Sequence, residues 1–167
     1  MAWKKPLQKS KREMRNKEMS VKTQTSHMKT LGKLLLQDLG YIYGDRESGP
    51  NGAKKEFLRK GGIFMRALAK DLGFTEFVVR TNKGGIAVSG EVYLRGMWGD
   101  GNGLFIELSQ MRIVDACFMY RTINDIEGKK SGMNQFLSVP VLLGGNYESL
   151  LRTFRAYRKQ AKAKDAA

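Results

Sequence analysis

The clearest pattern in the chain is an alternation of apolar and polar side chains over residues 85–98. One face of this run is aliphatic and the other carries Tyr93 and Arg95, which is the period of a half-buried β-strand. Residues 76–81 are rich in β-branched and aromatic side chains, and residues 82–85, between the two runs, tolerate positive φ. The pattern predicts a β-hairpin around which the rest of the chain is arranged.

Two further strands are expected after this hairpin. Residues 99–103 read Gly-Asp-Gly-Asn-Gly, a strong turn signal, and residues 104–109 alternate again, with Phe105 on the same face as Tyr93. Residues 116–123 have the composition of a strand but leave open which of their faces is buried. The four runs together predict an antiparallel meander.

Helices are predicted before and after this sheet. Apolar residues at helical spacing indicate one helix from residue 25 or 26 to residue 39 and another from residue 53 to residue 72. Inside the second helix, Gly61 and Gly62 imply either a break or the close approach of another backbone. Residues 136–143 are a candidate edge strand in which a proline blocks further pairing, and Asn146 can cap a last helix.

The predicted fold class is therefore α+β: a four-stranded antiparallel meander with two preceding helices, one following helix and a basic N-terminal arm. Residues 1–25 lack an apolar stripe, so we expect an arm that is disordered alone or helical on binding. Residues 26–163 are expected to form a single domain, and residues 164–167 a short tail.

The positive charge of the chain, +14 in all, is concentrated at its two ends. Residues 1–33 hold ten Lys or Arg against two Glu, a net charge of +8, and residues 152–167 hold six against one Asp, a net charge of +5. Only about +1 is left for the residues between them. Two cationic extensions on a nearly neutral globule suit a polyanionic partner, although solubilising tails are the plain alternative.

Signals of enzyme chemistry are missing from the sequence. The lone Cys117 excludes an internal disulfide and a Cys-based zinc site, and His27 has no second histidine to bind a metal with. Glu91 and Glu107 could face each other across adjacent strands, but pairing with a neighbouring arginine is the simpler interpretation. Because these signals are missing, we expect a non-enzymatic protein without a cofactor or metal. The chain shows neither a membrane span nor a signal peptide, so we expect it to be cytoplasmic.

The candidate nucleic-acid-binding residues fall into several groups. Cations that can contact phosphates are Lys4, Lys5, Lys9, Lys11, Arg12, Arg15 and Lys17 of the arm, Lys129 and Lys130 of a polar loop, and Arg152, Arg155, Lys159 and Lys162, which form one stripe on the last helix. The outer face of the sheet adds Arg80, Tyr93, Arg95 and Phe105, with Arg121 on the strand whose facing is open. Aromatic rings among cations favour stacking of unpaired bases, so single-stranded DNA or RNA is the expected partner. Ordinary cross-strand packing is the alternative for these rings.

Two resemblances bear on the partner. The order of elements from Phe77 to Thr153, a four-stranded antiparallel sheet, a loop with basic residues and a helix, is similar to that of PC4-like single-stranded DNA-binding coactivators. That resemblance implies binding through a concave sheet in a homodimer, although two helices before the sheet depart from it.

The second resemblance is one of style. A small, basic, one-domain chain with the segment Gly85 to Leu94, reading Gly-Ile-Ala-Val-Ser-Gly-Glu-Val-Tyr-Leu, looks like accessory proteins of phages and conjugative elements, which include anti-CRISPR inhibitors. It implies an alternative partner, a nucleic-acid-guided nuclease or its ribonucleoprotein complex.

Overall fold

The alternating runs of the sequence form one antiparallel sheet over the residues described by the computed structural model, which are 11–38, 53–82, 91–109, 116–127 and 132–165. Residues 83–90, which hold most of the predicted hairpin turn and the beginning of the first alternating run, lie outside them. The elements are α1 (Lys11–Asp38), α2 (Ala53–Leu72), β1 (Glu76–Asn82), β2 (Glu91–Met97), β3 (Gly103–Ser109), β4 (Ala116–Ile123), β5 (Gln135–Ser138), α3 (Val139–Gly144) and α4 (Tyr147–Asp165). The strands pair in chain order, β1-β2-β3-β4-β5. The α+β class and the antiparallel meander are thus confirmed, and the described residues hold one more strand and one more helix than predicted.

The facing of the central strands follows the alternation in the sequence. Val92 and Leu94 of β2 are fully buried beside Ile106 of β3, in the core that the sheet shares with the helices. On β4, where the sequence left the facing open, Phe118 and Tyr120 join this core, whereas Met119 belongs to a small cluster on the other side of the sheet. The helices therefore cover one face of the sheet, which we call the inner face, and the other is the outer face.

The adjacent glycines of α2 do not break the helix, which runs without interruption through both of them. A Cβ atom on Gly61 would lie 2.9 Å from the Cγ2 atom of Val92, so the glycine lets α2 approach the inner face closely. Of the two outcomes expected from the sequence, the break does not occur, and the close approach is made by a side chain and not by another backbone. The group approached is a strand side chain.

The predicted strand over residues 136–143 is wrong in its second half. Strand β5 ends at Ser138, and Val139 begins the short helix α3, with Pro140 in its first turn. Proline has no N–H to donate, and the first turn of a helix needs none from it, so the residue that blocks strand pairing fits a helix start. Gly145, at a φ of 63°, ends α3 by donating its backbone N–H to the carbonyl oxygen of Leu142.

The predicted start of the first helix, at residue 25 or 26, is also wrong, because α1 begins at Lys11. The residues between these positions include no proline or glycine, and the hydroxyl of Thr23 donates to the carbonyl oxygen of Met19 inside the helix. Residues 13–20 are exposed, and the buried seam of α1 consists of Gln24, Met28, Leu31 and Leu35 at alternating spacings of four and three.

Candidate nucleic-acid interface

The structure separates the predicted binding residues by side of the sheet. Arg15, Lys17, Arg152 and Arg155 belong to the helical side, and the outer face carries Arg80, Tyr93, Arg95, Phe105 and Arg121. Lys4, Lys5, Lys9, Lys129 and Lys130 lie outside the described residues, as do the side chains of Lys11, Arg12, Lys159 and Lys162. The two sides offer different chemistry.

On the helical side, a cleft of about 310 Å³ opens where α1, the last turn of α2 and the first turns of α4 meet. Its cationic residues are Lys17 from α1, Lys70 from α2 and Arg155 from α4. The other lining residues are Ser20, Val21, Asp71, Tyr147, Glu148 and Leu151. Two cations that the sequence assigned to separate extensions, Lys17 and Arg155, therefore line one cavity.

The cleft is held in shape by hydrogen bonds to Asp71. Tyr147 is only 1% exposed, and its hydroxyl donates to the Oδ2 atom of Asp71 at 2.6 Å. Burial, followed by this bond to a carboxylate, raises the pKa of Tyr147 well above its usual range, so the phenol remains a donor. Arg155 donates from its Nη2 atom to the carbonyl oxygen of Asp71 at 2.7 Å, which places a cation at the C-terminal end of α2.

The exposed cations around the cleft have few carboxylate partners. In the described part of the chain, the ion pairs join Lys22 to Glu18, Arg59 and Lys60 to Glu56, and Arg158 to Asp100. Lys17, Lys70, Arg152 and Arg155 take part in none of these pairs. Within these ranges none of the four is paired with a carboxylate, although Arg155 is held by the carbonyl oxygen of Asp71.

On the outer face, the aromatic residues are already engaged. The rings of Tyr93 and Phe105 stack with centroids 5.8 Å apart and an interplanar angle of 29°. The guanidinium of Arg95 lies 5.7 Å from the Tyr93 centroid and 6.0 Å from that of Phe105, and Arg121 lies 5.6 Å from Phe105. The expectation that the outer face gathers aromatic rings and cations agrees with this placement.

The role expected for Phe105 needs correction. Its side chain is only 4% exposed, because it packs with Met119 and Ile123 and because two arginines flank it across the neighbouring strands. A ring buried in this way has no face to offer to a base. Of the two aromatic side chains predicted to stack on bases, only Tyr93, which is half-buried, is exposed enough to contact a base.

Arg95 also holds a loop against the outer face. Its Nη1 atom donates to the carbonyl oxygen of Glu127 at 2.7 Å, in the turn that follows β4. The Nε atoms of Arg95 and Arg121 are buried without a hydrogen-bond partner within the described ranges. Both arginines are thus committed in part to packing the outer face.

The carboxylate pair considered from the sequence does not form directly across the strands. Glu91 pairs in register with Ser109, and Glu107 pairs with Tyr93, so the two glutamates are diagonal neighbours. Ser109 donates its hydroxyl to the Oε1 atom of Glu107 at 3.0 Å. Over the residues that the structure describes, no group of three His, Cys, Asp or Glu side chains is placed to hold a metal ion.

Sequence reasoning missed Lys70, Asp71 and Tyr147, which lie at the ends of predicted helices and belong to no motif. It also missed Arg158, which stands beside the predicted stripe but lies over the ring of Trp98, 4.7 Å from its centroid, and pairs with Asp100. The only sequence signal for Arg158 was its position three residues after Arg155, next to the predicted stripe of cations.

Comparisons with known proteins add no assignment. Protein-family models, curated proteins and solved structures give no match to this chain. Within the described ranges, no helix has the length and apolar character that crossing a bilayer requires. Function must therefore be inferred from the charge and geometry of the chain itself.

Proposed function

We propose that the protein is a non-enzymatic nucleic-acid-binding protein that contacts phosphates through its helical side. The observation that carries this proposal is the convergence of Lys17, Lys70 and Arg155, from three helices, on one cleft. Exposed cations without carboxylate partners can displace the counterions of a polyanion, which is the main source of affinity for a nucleic-acid backbone. The exposed first turns of α1 extend this cationic surface with Arg15.

The helical side supports the proposal better than the outer face does. Arg152 and Arg155 are exposed, whereas Arg95 and Arg121 lie over aromatic rings on the sheet. With Phe105 buried, a preference for single strands rests on stacking at Tyr93 alone. Tyr93 lies on the outer face, so only a strand that extends from the helical side around to this face gains about 1–3 kcal/mol per stacked base. We therefore propose binding to DNA or RNA with a modest preference for single strands.

Binding titrations against salt test this proposal. Fluorescence anisotropy with labelled single- and double-stranded DNA and RNA should show log K falling steeply with log salt concentration, by about 0.7–0.9 per phosphate contacted. Replacing Arg15, Lys17 and Arg152 together by Gln should make that slope shallower by roughly 2–3. Undetectable or salt-insensitive binding to all four nucleic acids would contradict the proposal.

A matched control separates contact from bulk charge. Lys33, Lys55 and Arg66 are exposed cations that lie outside the cleft, outside the first turns of α1 and outside α4, and replacing them by Gln removes the same formal charge. If net charge alone attracts the nucleic acid, both triple variants lose affinity equally. If the proposed surface makes the contacts, the control keeps the steeper slope.

A pull-down from the native host tests the alternative partner. At about 0.3 M salt, where non-specific attraction is largely screened, recovery of nucleic acid that disappears on nuclease treatment would agree with the proposal. Recovery of a stoichiometric, nuclease-resistant protein would instead favour an inhibitor of a nucleic-acid-guided nuclease or ribonucleoprotein.

A further inference from the structure

The cleft between α1, α2 and α4 has the features of a ligand site beyond those of a charged surface. Its volume of about 310 Å³ lies at the lower end of the range for small-molecule sites. Its lining combines cations, carboxylates and hydroxyl groups, which a simple phosphate-backbone track does not require. We propose that the cleft binds a phosphomonoester, the group found at the phosphorylated end of a nucleic-acid strand and in a free nucleotide.

The charges in the cleft suit a monoester. Lys17, Lys70 and Arg155 supply three positive charges against those of Asp71 and Glu148, which leaves a net charge of +1. A phosphomonoester carries about −1.5 to −2 near pH 7, so it gains more from these cations than a phosphodiester with one charge. The cations come from three separate helices and can surround a terminal group whose three non-bridging oxygens share the negative charge.

The two carboxylates have separate roles in this site. That of Asp71 is bound to the phenol of Tyr147 at 2.6 Å, and the carbonyl oxygen of the same residue holds Arg155 at 2.7 Å. Asp71 thus positions one cation and one phenol at the cleft. Glu148, half-buried in the first turn of α4, supplies an acceptor for an amino or hydroxyl group elsewhere on the ligand.

This inference depends on the proposed function in one respect: a nucleic-acid strand end can be the source of the phosphate only if the protein binds nucleic acid. The test uses a short labelled oligonucleotide phosphorylated at its 5′ end, at its 3′ end or at neither, with adenosine monophosphate and inorganic phosphate as competitors. We expect one phosphorylated form to bind on the order of tenfold more tightly than the unphosphorylated form, as a charge-assisted contact would provide. Lys70→Gln should remove this preference.

Lys55→Gln is the matched control, because Lys55 is an exposed lysine of the same helix that does not line the cleft. It should keep the preference for the phosphorylated end, and thermal unfolding should show that both variants are folded. Competition by adenosine monophosphate that Lys70→Gln abolishes would support the free nucleotide as the source.

The outcomes separate the inference from the proposed function. Equal affinity for all three oligonucleotides, with no competition by either small phosphate, overturns the inference while nucleic-acid binding remains. Adenosine monophosphate binding that depends on Lys70, without oligonucleotide binding, supports the inference and overturns the proposed function. Absence of binding to every probe overturns both.

Discussion

At the scale of single residues, the adjacent glycines of α2 have opposite surroundings. A Cβ atom on Gly61 would overlap a methyl group of the fully buried and stiff Val92, at 2.9 Å. A Cβ atom on Gly62 would meet only the end of the Arg66 side chain, at 3.3 Å, which can move. The sequence marked both glycines as unusual in a helix, but it could not tell them apart, because the difference depends on which one faces β2.

Substituting each glycine by alanine should therefore change stability in opposite directions. Gly61→Ala should lower the free energy of unfolding by about 1–2 kcal/mol, because the overlap with Val92 outweighs the better helix propensity. Gly62→Ala should raise it by about 0.5–1 kcal/mol, the propensity gain alone. Urea denaturation measures both, and effects of the same sign would contradict this account of how α2 packs.

Arg158 differs from its neighbours on α4 because it supports the fold. Its guanidinium lies over Trp98 and pairs with Asp100 in the turn between β2 and β3, and the indole of Trp98 donates to the carbonyl oxygen of Leu72 at 3.0 Å. Arg158 thus connects α4 to the turn beside the end of α2.

Arg158→Ala should lower the free energy of unfolding by about 1–2 kcal/mol, from the lost cation–π contact and ion pair. Arg152→Ala, at an exposed position, should change it by less than about 0.5 kcal/mol. Thermal and urea unfolding would show the contrast. If both substitutions left stability unchanged, Arg158 would be a solvent-exposed cation like Arg152 and would not support the fold.

At the scale of elements, α1 has a buried half and an exposed half. Met28 is fully buried in the seam, whereas Met19 is 60% exposed on a part of the helix that lies beyond the core. Met28→Ala should therefore cost about 2–5 kcal/mol of stability. Met19→Ser should cost less than about 0.5 kcal/mol. Equal losses in urea denaturation would indicate that the first half of α1 packs against something as well.

The elements also show what a sequence pattern can and cannot predict. Strict alternation predicted the facing of Val92, Leu94 and Ile106 correctly, because a strand with one buried face repeats every two residues. The beginning of α1 was missed because polar residues are compatible with both an exposed helix and a mobile arm. The burial of Phe105 depends on its neighbours on β2 and β4, which only the pairing register brings together.

At the scale of the whole molecule, the two sides of the sheet use cations differently. On the outer face, guanidinium groups cover aromatic rings and tie a loop to the sheet, so their removal should first affect packing. On the helical side, Lys17, Lys70 and Arg155 surround a cleft whose shape is fixed by a buried tyrosine and an aspartate. No composition or local spacing in the sequence indicates this convergence, because it depends on how three helices pack.

Buried ionisable groups predict how the stability of the whole molecule changes in alkaline solution. Burial raises the pKa of Cys117 from its ordinary value of 9.0 to about 12, and burial also raises the pKa values of Tyr120 and Tyr147. Each group prefers its protonated form in the folded state. Its contribution to stability is therefore complete below the pKa of the unfolded chain and is lost as the pH rises above that value.

Between pH 9 and pH 10 the main contribution comes from Cys117, because the phenols of an unfolded chain titrate near pH 10. The free energy of unfolding should fall by about 1 kcal/mol over this interval as the unfolded thiol ionises. Cys117→Ala should be less stable at pH 8, because it leaves a small void, but from pH 9 to pH 10 it should lose about 1 kcal/mol less stability than the unsubstituted protein, since only the tyrosines still contribute. Urea denaturation at each pH gives both curves. Parallel curves for the two proteins would show that the thiol ionises as readily in the folded state as in the unfolded chain, which would contradict its burial on β4.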